Sequence, residues 1–256
     1  VTLRLVSIGP SHYCEKARWA LDHAGIPFVE EVHLPLAHWA FAVPRGSRTV
    51  PLLLRPSARP LRDSTDIVDY ADEQAPEERK LFSNDPALRS RAKEIEHDLD
   101  ETLGPLTRRL AYCFLVPRPE LFVRTFERSA PLTSRVALKT LHPMLRGALK
   151  RAFRTSERAE KRLLGALATK LDEIARLLDG RRYLVGDTFS AADLTLASLA
   201  TPVLMPDGFG VPSLSRRDLP DDLGAIVDGL RKTPVGEHVL RMYREHRAPR
   251  YPWASR

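Results

Sequence analysis

Apolar and polar positions change their period once along this chain of 256 residues. The first 75 residues hold short apolar runs that read as strands, and beyond them apolar residues recur at steps of three and four. Leu3, Leu5 and Val6 form a run that predicts a buried strand, closed by Gly9-Pro10, with Ser11 where a helix would be capped. Residues 14–24 are helical in composition, and Gly25 and Pro27 stop them. Residues 28–34 alternate loosely, as an edge strand does. A loop with some helical content spans 35–48 and carries His38, Arg45 and Arg48. Residues 49–54 predict a third strand with Pro51 near its start, where the missing N–H favours an edge. A turn over 55–60 leads to a short strand around Leu61. Asp63 and Ser64 then cap a helix whose apolar face is Ile67, Val68 and Ala71. The order is βαβ, then ββα.

A charged linker over 76–83 separates this region from one with no convincing strand. Leu88, Ala92, Ile95, Leu99, Leu103, Leu106 and Leu110 mark a long amphipathic helix, which Gly104-Pro105 is expected to interrupt and bend. Helical stretches follow over 117–128 and 131–154. The second belongs to a basic stretch, 135–162, expected to be a solvated face. Ser156 opens a further helix with Leu163, Leu167, Leu171, Ile174 and Leu178 on one face and Gly180 past its end. Ser190 and Asp193 form a capping box before a segment, 194–204, that is apolar nearly all round and so predicted to be central. After a loop over 206–220, the last helices occupy 221–246. The organisation predicted is a first domain over 1–75, the linker, and a helical domain over 84–256.

Composition adds little to this except through charge and cysteine. Two cysteines, Cys14 and Cys113, make no disulfide framework and suit a reducing cytoplasm. No apolar run is long enough to span a membrane, and the start of the sequence lacks the pattern of a secretory leader. A net charge of +7 favours anionic partners. The sequence has no zinc spacing and no RNA-binding signature, so nucleic acid is not expected. At the first turn, a strand entering a helix N-terminus sets unpaired N–H groups and a positive dipole end beside residues 11–14. Such a place favours an anion or a thiolate.

Four features, in order, resemble the cytosolic glutathione transferases over nearly the whole chain. Ser11-His12-Tyr13-Cys14 is similar to the Cys-x-x-Cys turn of glutaredoxins and thioredoxins, with serine first. Thr49-Val50-Pro51 resembles the family's Val-Pro with its cis-proline. Asp63-Ser64 matches the acidic-Ser pair that caps the third helix. Gly186-Asp187 with Ser190 and Asp193 resembles the capping motif of the buried helix in the second domain. The resemblance implies a thioredoxin-like α/β domain followed by an all-α domain, with glutathione as co-substrate, no metal and a homodimer. It also implies conjugation of glutathione to a small, apolar electrophile.

Carried over residue by residue, the resemblance gives Val50 and Pro51 to the cysteinyl backbone of glutathione, and Asp63 and Ser64 to its γ-glutamyl end. The glycyl carboxylate wants a cation. The sequence leaves His38, Arg45 and Arg48 open, and Arg48 is carried in the predicted set. Ser11 is the expected donor to the glutathione sulfur. Tyr13 competes for that role, and Cys14 is the other thiol-site candidate. Its helical spacing with Ala17, Leu21 and Ala24 marks it as a packing residue, and Cys113 reads as core. Serine in the first position cannot form a mixed disulfide, which favours conjugation over reductase chemistry. The alternatives are a thiol–disulfide oxidoreductase using Cys14 and a non-catalytic binding protein of the same fold. Trp39, Tyr112, Phe114 and Trp253 are the aromatic candidates for the electrophile site.

Overall fold

The computed structural model describes residues 2–129 and 132–247, and gives the backbone alone for 132–137 and 139. Three strands, β1 (Leu3–Ser7), β2 (Phe28–Val32) and β3 (Leu52–Leu54), form a sheet in the order β2-β1-β3. β2 runs parallel to β1, pairing Leu5 with Glu30, and β3 runs antiparallel to it, pairing Leu5 with Leu53. The parallel pair needs a crossover, which α1 (His12–His23) supplies. Strand side chains alternate between faces. Leu5 and Leu53 join the main core with Ala17, Ala20 and Ile67, whereas Val6 and Leu52 pack with Ala42 in a small second core. α1 packs against α3 (Ser64–Gln74), and Ala42 belongs to the short helix α2 (Trp39–Ala42).

Two expectations in this domain are corrected. The third strand begins at Leu52 rather than residue 49, because Pro51 has no N–H to pair; the Val50-Pro51 peptide is cis. The strand around Leu61 is reduced to one bridge with Leu53, since Arg62 and Asp63 turn away to start α3. Residues 76–83 are fastened to the first domain. The Asp72 carboxylate accepts the N–H groups of Leu81 and Phe82 at 2.7 and 3.0 Å, and both side chains are buried.

The helical region comprises α4 (Pro86–Leu115), α5 (Pro119–Glu127), α6 (Leu132–Phe153), α7 (Glu157–Leu178), α8 (Ala191–Leu199), α9 (Thr201–Leu204), α10 (Asp221–Arg231) and α11 (Pro234–His246). α4 is unbroken across Gly104-Pro105, where the sequence predicts an interruption. Pro105 and Glu101, whose carbonyl loses its intrahelical donor, are both exposed, so this break in the ladder lies on the outer side of α4. On the buried side the Thr107 hydroxyl donates to the Leu199 carbonyl at 2.7 Å and ties α4 to α8.

All nine residues of α8 are buried. Each leucine so placed contributes about 1.5–3 kcal/mol relative to exposure. Asp193 organises the entry to α8: one oxygen accepts from Leu184 N–H at 2.9 Å, the other from the Ser190 hydroxyl at 2.7 Å.

Two buried ionic clusters join the regions. Arg18, fully buried in α1, donates to both oxygens of Glu30 on β2 and is paired with Glu15. Glu15 also accepts from Gly210 N–H at 3.1 Å and from Arg247 Nε at 2.9 Å, and Arg247 reaches Asp22 at 2.9 Å. Burial alone would lower the Arg18 pKa, but Glu30 and Glu15 hold it above its ordinary value. The second cluster sets Lys16 Nζ 2.9 Å from Glu96 and 3.0 Å from the Thr65 hydroxyl, linking α1, α4 and α3. In the basic stretch, Lys150, Arg151, Arg154, Arg158, Lys161 and Arg162 are exposed, while Arg146 donates to the Val116 carbonyl. The side chains of Arg135 and Lys139 lie outside the described residues.

Candidate functional site

The β1–α1 turn delivers Ser11 to the end of the sheet. Its backbone is extended (φ −73°, ψ 125°), as an N-cap residue requires, and its Oγ accepts the Cys14 N–H at 3.4 Å. The hydroxyl proton is therefore left to donate elsewhere. Ser11 lines a cavity of about 540 Å³ between the α/β and helical regions. Val50 and Arg48 line the same cavity, as do His38, Trp39, Tyr112 and Phe114. The ladder with β1 ends at Leu52, so Val50 lies just beyond it.

The three loop cations separate. Arg48 is exposed at the cavity wall, and its carbonyl is fixed by the Trp39 indole N–H at 3.0 Å. His38 is buried beside it, its pKa lowered by that burial, and its Nδ1 has no hydrogen-bond partner. Arg45 instead donates to the Phe41 carbonyl at 2.7 Å, away from the cavity lining. Asp63 and Ser64 also lie outside the lining. The Asp63 carboxylate accepts from Thr65 N–H at 2.8 Å, and Ser64 is buried at the first position of α3.

The two alternatives to Ser11 have other attachments. The Tyr13 phenol donates to the Asp100 carbonyl at 2.8 Å, and its pKa is pushed up to about 12, chiefly by burial. Cys14 is fully buried, and that burial pushes its thiol up to about 11, outweighing the opposite influence of the neighbouring Ser11 and Arg18. Cys113 is buried as well, and Trp253 lies outside the described residues.

Sequence reasoning assigned no role to two ionisable residues of the cavity, His12 and Arg108. His12 contacts the Gly104 carbonyl through Nε2 at 3.0 Å, and its pKa falls to about 3 because it is buried and because Arg108 is near. Arg108 itself stands over the rings of Tyr13 and Phe153, 5.7 and 5.8 Å from their centroids. Gly104, Arg108 and Tyr112 follow one another at steps of four, so one face of α4 looks toward the Ser11 turn. That spacing was the available signal.

A two-layer α/β domain with a cis-proline at a sheet end, followed by a helical bundle, is the thioredoxin-like and helical pair that the motifs imply. The family model of the glutathione S-transferase N-terminal domain matches residues 5–79, and that of the C-terminal domain matches residues 135–218. The chain belongs to the glutathione S-transferase superfamily.

Solved structures agree in fold. A glutathione S-transferase of Xanthobacter autotrophicus Py2 superposes with a TM-score of 0.59 at 16% identity, over 95% of this chain and 93% of that one. One from Methylobacterium radiotolerans JCM 2831, in complex with glutathione sulfonate, gives 0.51 at 22% identity over 100% and 99%. One from Methylobacillus flagellatus KT with glutathione bound gives 0.54 at 16% identity over 93% and 98%. No curated protein matches the chain.

Proposed function

We propose that this protein is a glutathione transferase that binds glutathione in the cavity, holds its sulfur as thiolate with Ser11 and conjugates it to a small apolar electrophile. The observation that carries this reading is the Ser11 hydroxyl itself. It caps α1 as an acceptor, which leaves its proton to donate, and it shares one cavity with Val50 and Arg48. A hydrogen bond to a thiolate, worth about 1.5–3 kcal/mol, lowers a thiol pKa by roughly one to two units. The α1 dipole acts in the same direction. Val50, beyond the last ladder pair, offers main-chain groups to an extended peptide, and Arg48 with His38 offers donors to its glycyl carboxylate. The family resemblance, and not the cavity lining, assigns Asp63 and Ser64 at the start of α3 to the γ-glutamyl end. The enzyme's contribution is proximity and thiolate stabilisation, with glutathione as the nucleophile.

Burial of Cys14 weighs against the oxidoreductase alternative, because the thiolate is the reactive form. A homodimer in the cytoplasm is part of the proposal, on the strength of the family resemblance, and gel filtration sizes the assembly. The deciding experiment is glutathione calorimetry with the wild type and Ser11→Ala, together with turnover of chlorodinitrobenzene. The expected result is similar glutathione affinity and a loss of most kcat in the variant. Unchanged kcat removes Ser11 from the mechanism, and absent glutathione binding removes the transferase reading.

A further inference from the structure

Among the described residues that line the cavity, the charged side chains are Arg48 and Arg108, and no aspartate or glutamate joins them. His12 and His38 are uncharged at neutral pH, since both are lowered by burial. Most of the remaining wall is apolar: Phe114, Leu149, Phe153, Met205 and Phe209 stand around it. Both arginines are exposed at the mouth of the cavity, where water satisfies their donors in the absence of a ligand, so each offers an unpaired fork of N–H groups to an anion that enters beside the apolar wall.

Arg48 is accounted for by the glycyl end of glutathione, but Arg108 is not. Among the described residues no carboxylate pairs with Arg108. Its contacts are the faces of Tyr13 and Phe153, which hold a planar guanidinium by cation–π attraction and leave its N–H edges unengaged. Arg109, one residue along, donates to the Phe153 carbonyl at 3.1 Å, so the second arginine braces α6 while the first faces the cavity.

We propose that the second substrate is an apolar, aromatic electrophile bearing an anionic group, a carboxylate above all, which Arg108 binds through its guanidinium edge. This deepens the reading above by naming the chemistry of the second substrate, and it rests on that reading for the substrate's being an electrophile. The aromatic body packs against Tyr112, stacked 4.2 Å from Phe153, while the carboxylate meets Arg108. A cavity of about 540 Å³ is of a size that encloses a small organic ligand. A charge-assisted, two-pronged contact of this kind raises affinity about tenfold or more over a neutral analogue of the same shape.

The test uses an unreactive pair, naphthalenecarboxylate and the matching naphthalenecarboxamide, titrated by calorimetry into the full chain with and without glutathione. The acid is expected to bind at least about tenfold more tightly than the amide. In Arg108→Gln that preference collapses to less than about twofold, and in Arg108→Lys, which keeps the charge but not the planar fork, part of it survives. Arg158→Gln, which removes an exposed cation elsewhere on the surface, keeps the whole preference. Circular dichroism verifies the fold of each variant. Equal affinity for acid and amide, no binding of the acid, or a preference that persists in Arg108→Gln overturns the proposal. Because neither probe reacts, the outcome is read separately from glutathione binding and turnover.

Discussion

The phenol oxygen of Tyr13 lies where a side chain on Gly104 would have to stand: a Cβ at residue 104 would be 2.2 Å from it. Tyr13 belongs to the turn that carries Ser11, and Gly104 belongs to α4. The absence of a side chain at one residue therefore sets how closely the first helix and the long helix approach. The phenol then donates to the Asp100 carbonyl one turn earlier in α4.

Gly104→Ala is accordingly expected to push the phenol off Asp100 and to destabilise the protein by about 1–3 kcal/mol, as overpacking does. Tyr13→Phe removes one hydrogen bond and costs about 1 kcal/mol. Because the two residues share one contact, the double variant should lose less than the sum of the singles. Urea unfolding of the four proteins measures the coupling, and strict additivity would contradict it.

The buried ionic cluster predicts a contrast within β2. Glu30→Ala takes from the buried Arg18 the carboxylate that engages Nε and Nη2, leaving Glu15 as its remaining carboxylate, and the expected cost is about 3 kcal/mol. The neighbouring residue Glu31 pairs with Arg4 at the exposed side of the sheet, and Glu31→Ala should cost less than about 1 kcal/mol. Denaturation midpoints of both variants decide the matter.

Acid should weaken the fold through His12. Below pH 6.5 the unfolded imidazole takes up a proton that the buried one, with its pKa near 3, refuses. Stability is therefore complete above about pH 6.5 and falls as pH drops toward 3. By pH 5 this one residue costs about 2 kcal/mol. His23, lowered to about 4 mainly by burial, adds to the same trend. His12→Gln, which keeps an amide donor near the Gly104 carbonyl, should flatten the slope of unfolding free energy between pH 7 and 5. An unchanged slope would exclude His12 as its source.

Arg48 and Arg45, three residues apart, should behave differently toward glutathione. Arg48→Ala is expected to raise the glutathione KM about tenfold, the worth of one charge-assisted contact, and Arg45→Ala to change it less than about twofold. Trp39→Ala, which frees the Arg48 carbonyl, should fall between the two. Steady-state kinetics at saturating electrophile separate the three.

Much of the fold was legible because period and punctuation are local. Gly9-Pro10, Asp63 and the Ser190–Asp193 box mark element starts through atoms within three residues of one another, and the structure places a helix after each. What escaped depends on partners distant in the chain. Glu15 and Arg18 carry no local mark of burial, yet both are buried, because Glu30, Gly210 and Arg247 arrive to satisfy them. Arg108 went unremarked, since nothing near it in sequence says that Tyr13 and Phe153 stand beneath its guanidinium. Pro105 misled for a different reason: its missing N–H removes one intrahelical hydrogen bond, but residues 101 and 105 lie on the exposed side of α4, and the helix continues through them.

The Glu15–Arg247 pair bears on how this protein could be recombined with its relatives. The first domain looks like a portable module, closed by its own sheet and helices. Its first helix nonetheless carries a buried carboxylate and a buried guanidinium whose partners include Gly210 and Arg247, from the loop before α10 and from the residue after α11. A chimera that joined residues 1–79 to another helical domain would bury Glu15 against a surface lacking those donors. Exchange between members should therefore succeed with whole chains, or with the loop at Gly210 and the segment at Arg247 transplanted alongside the first domain.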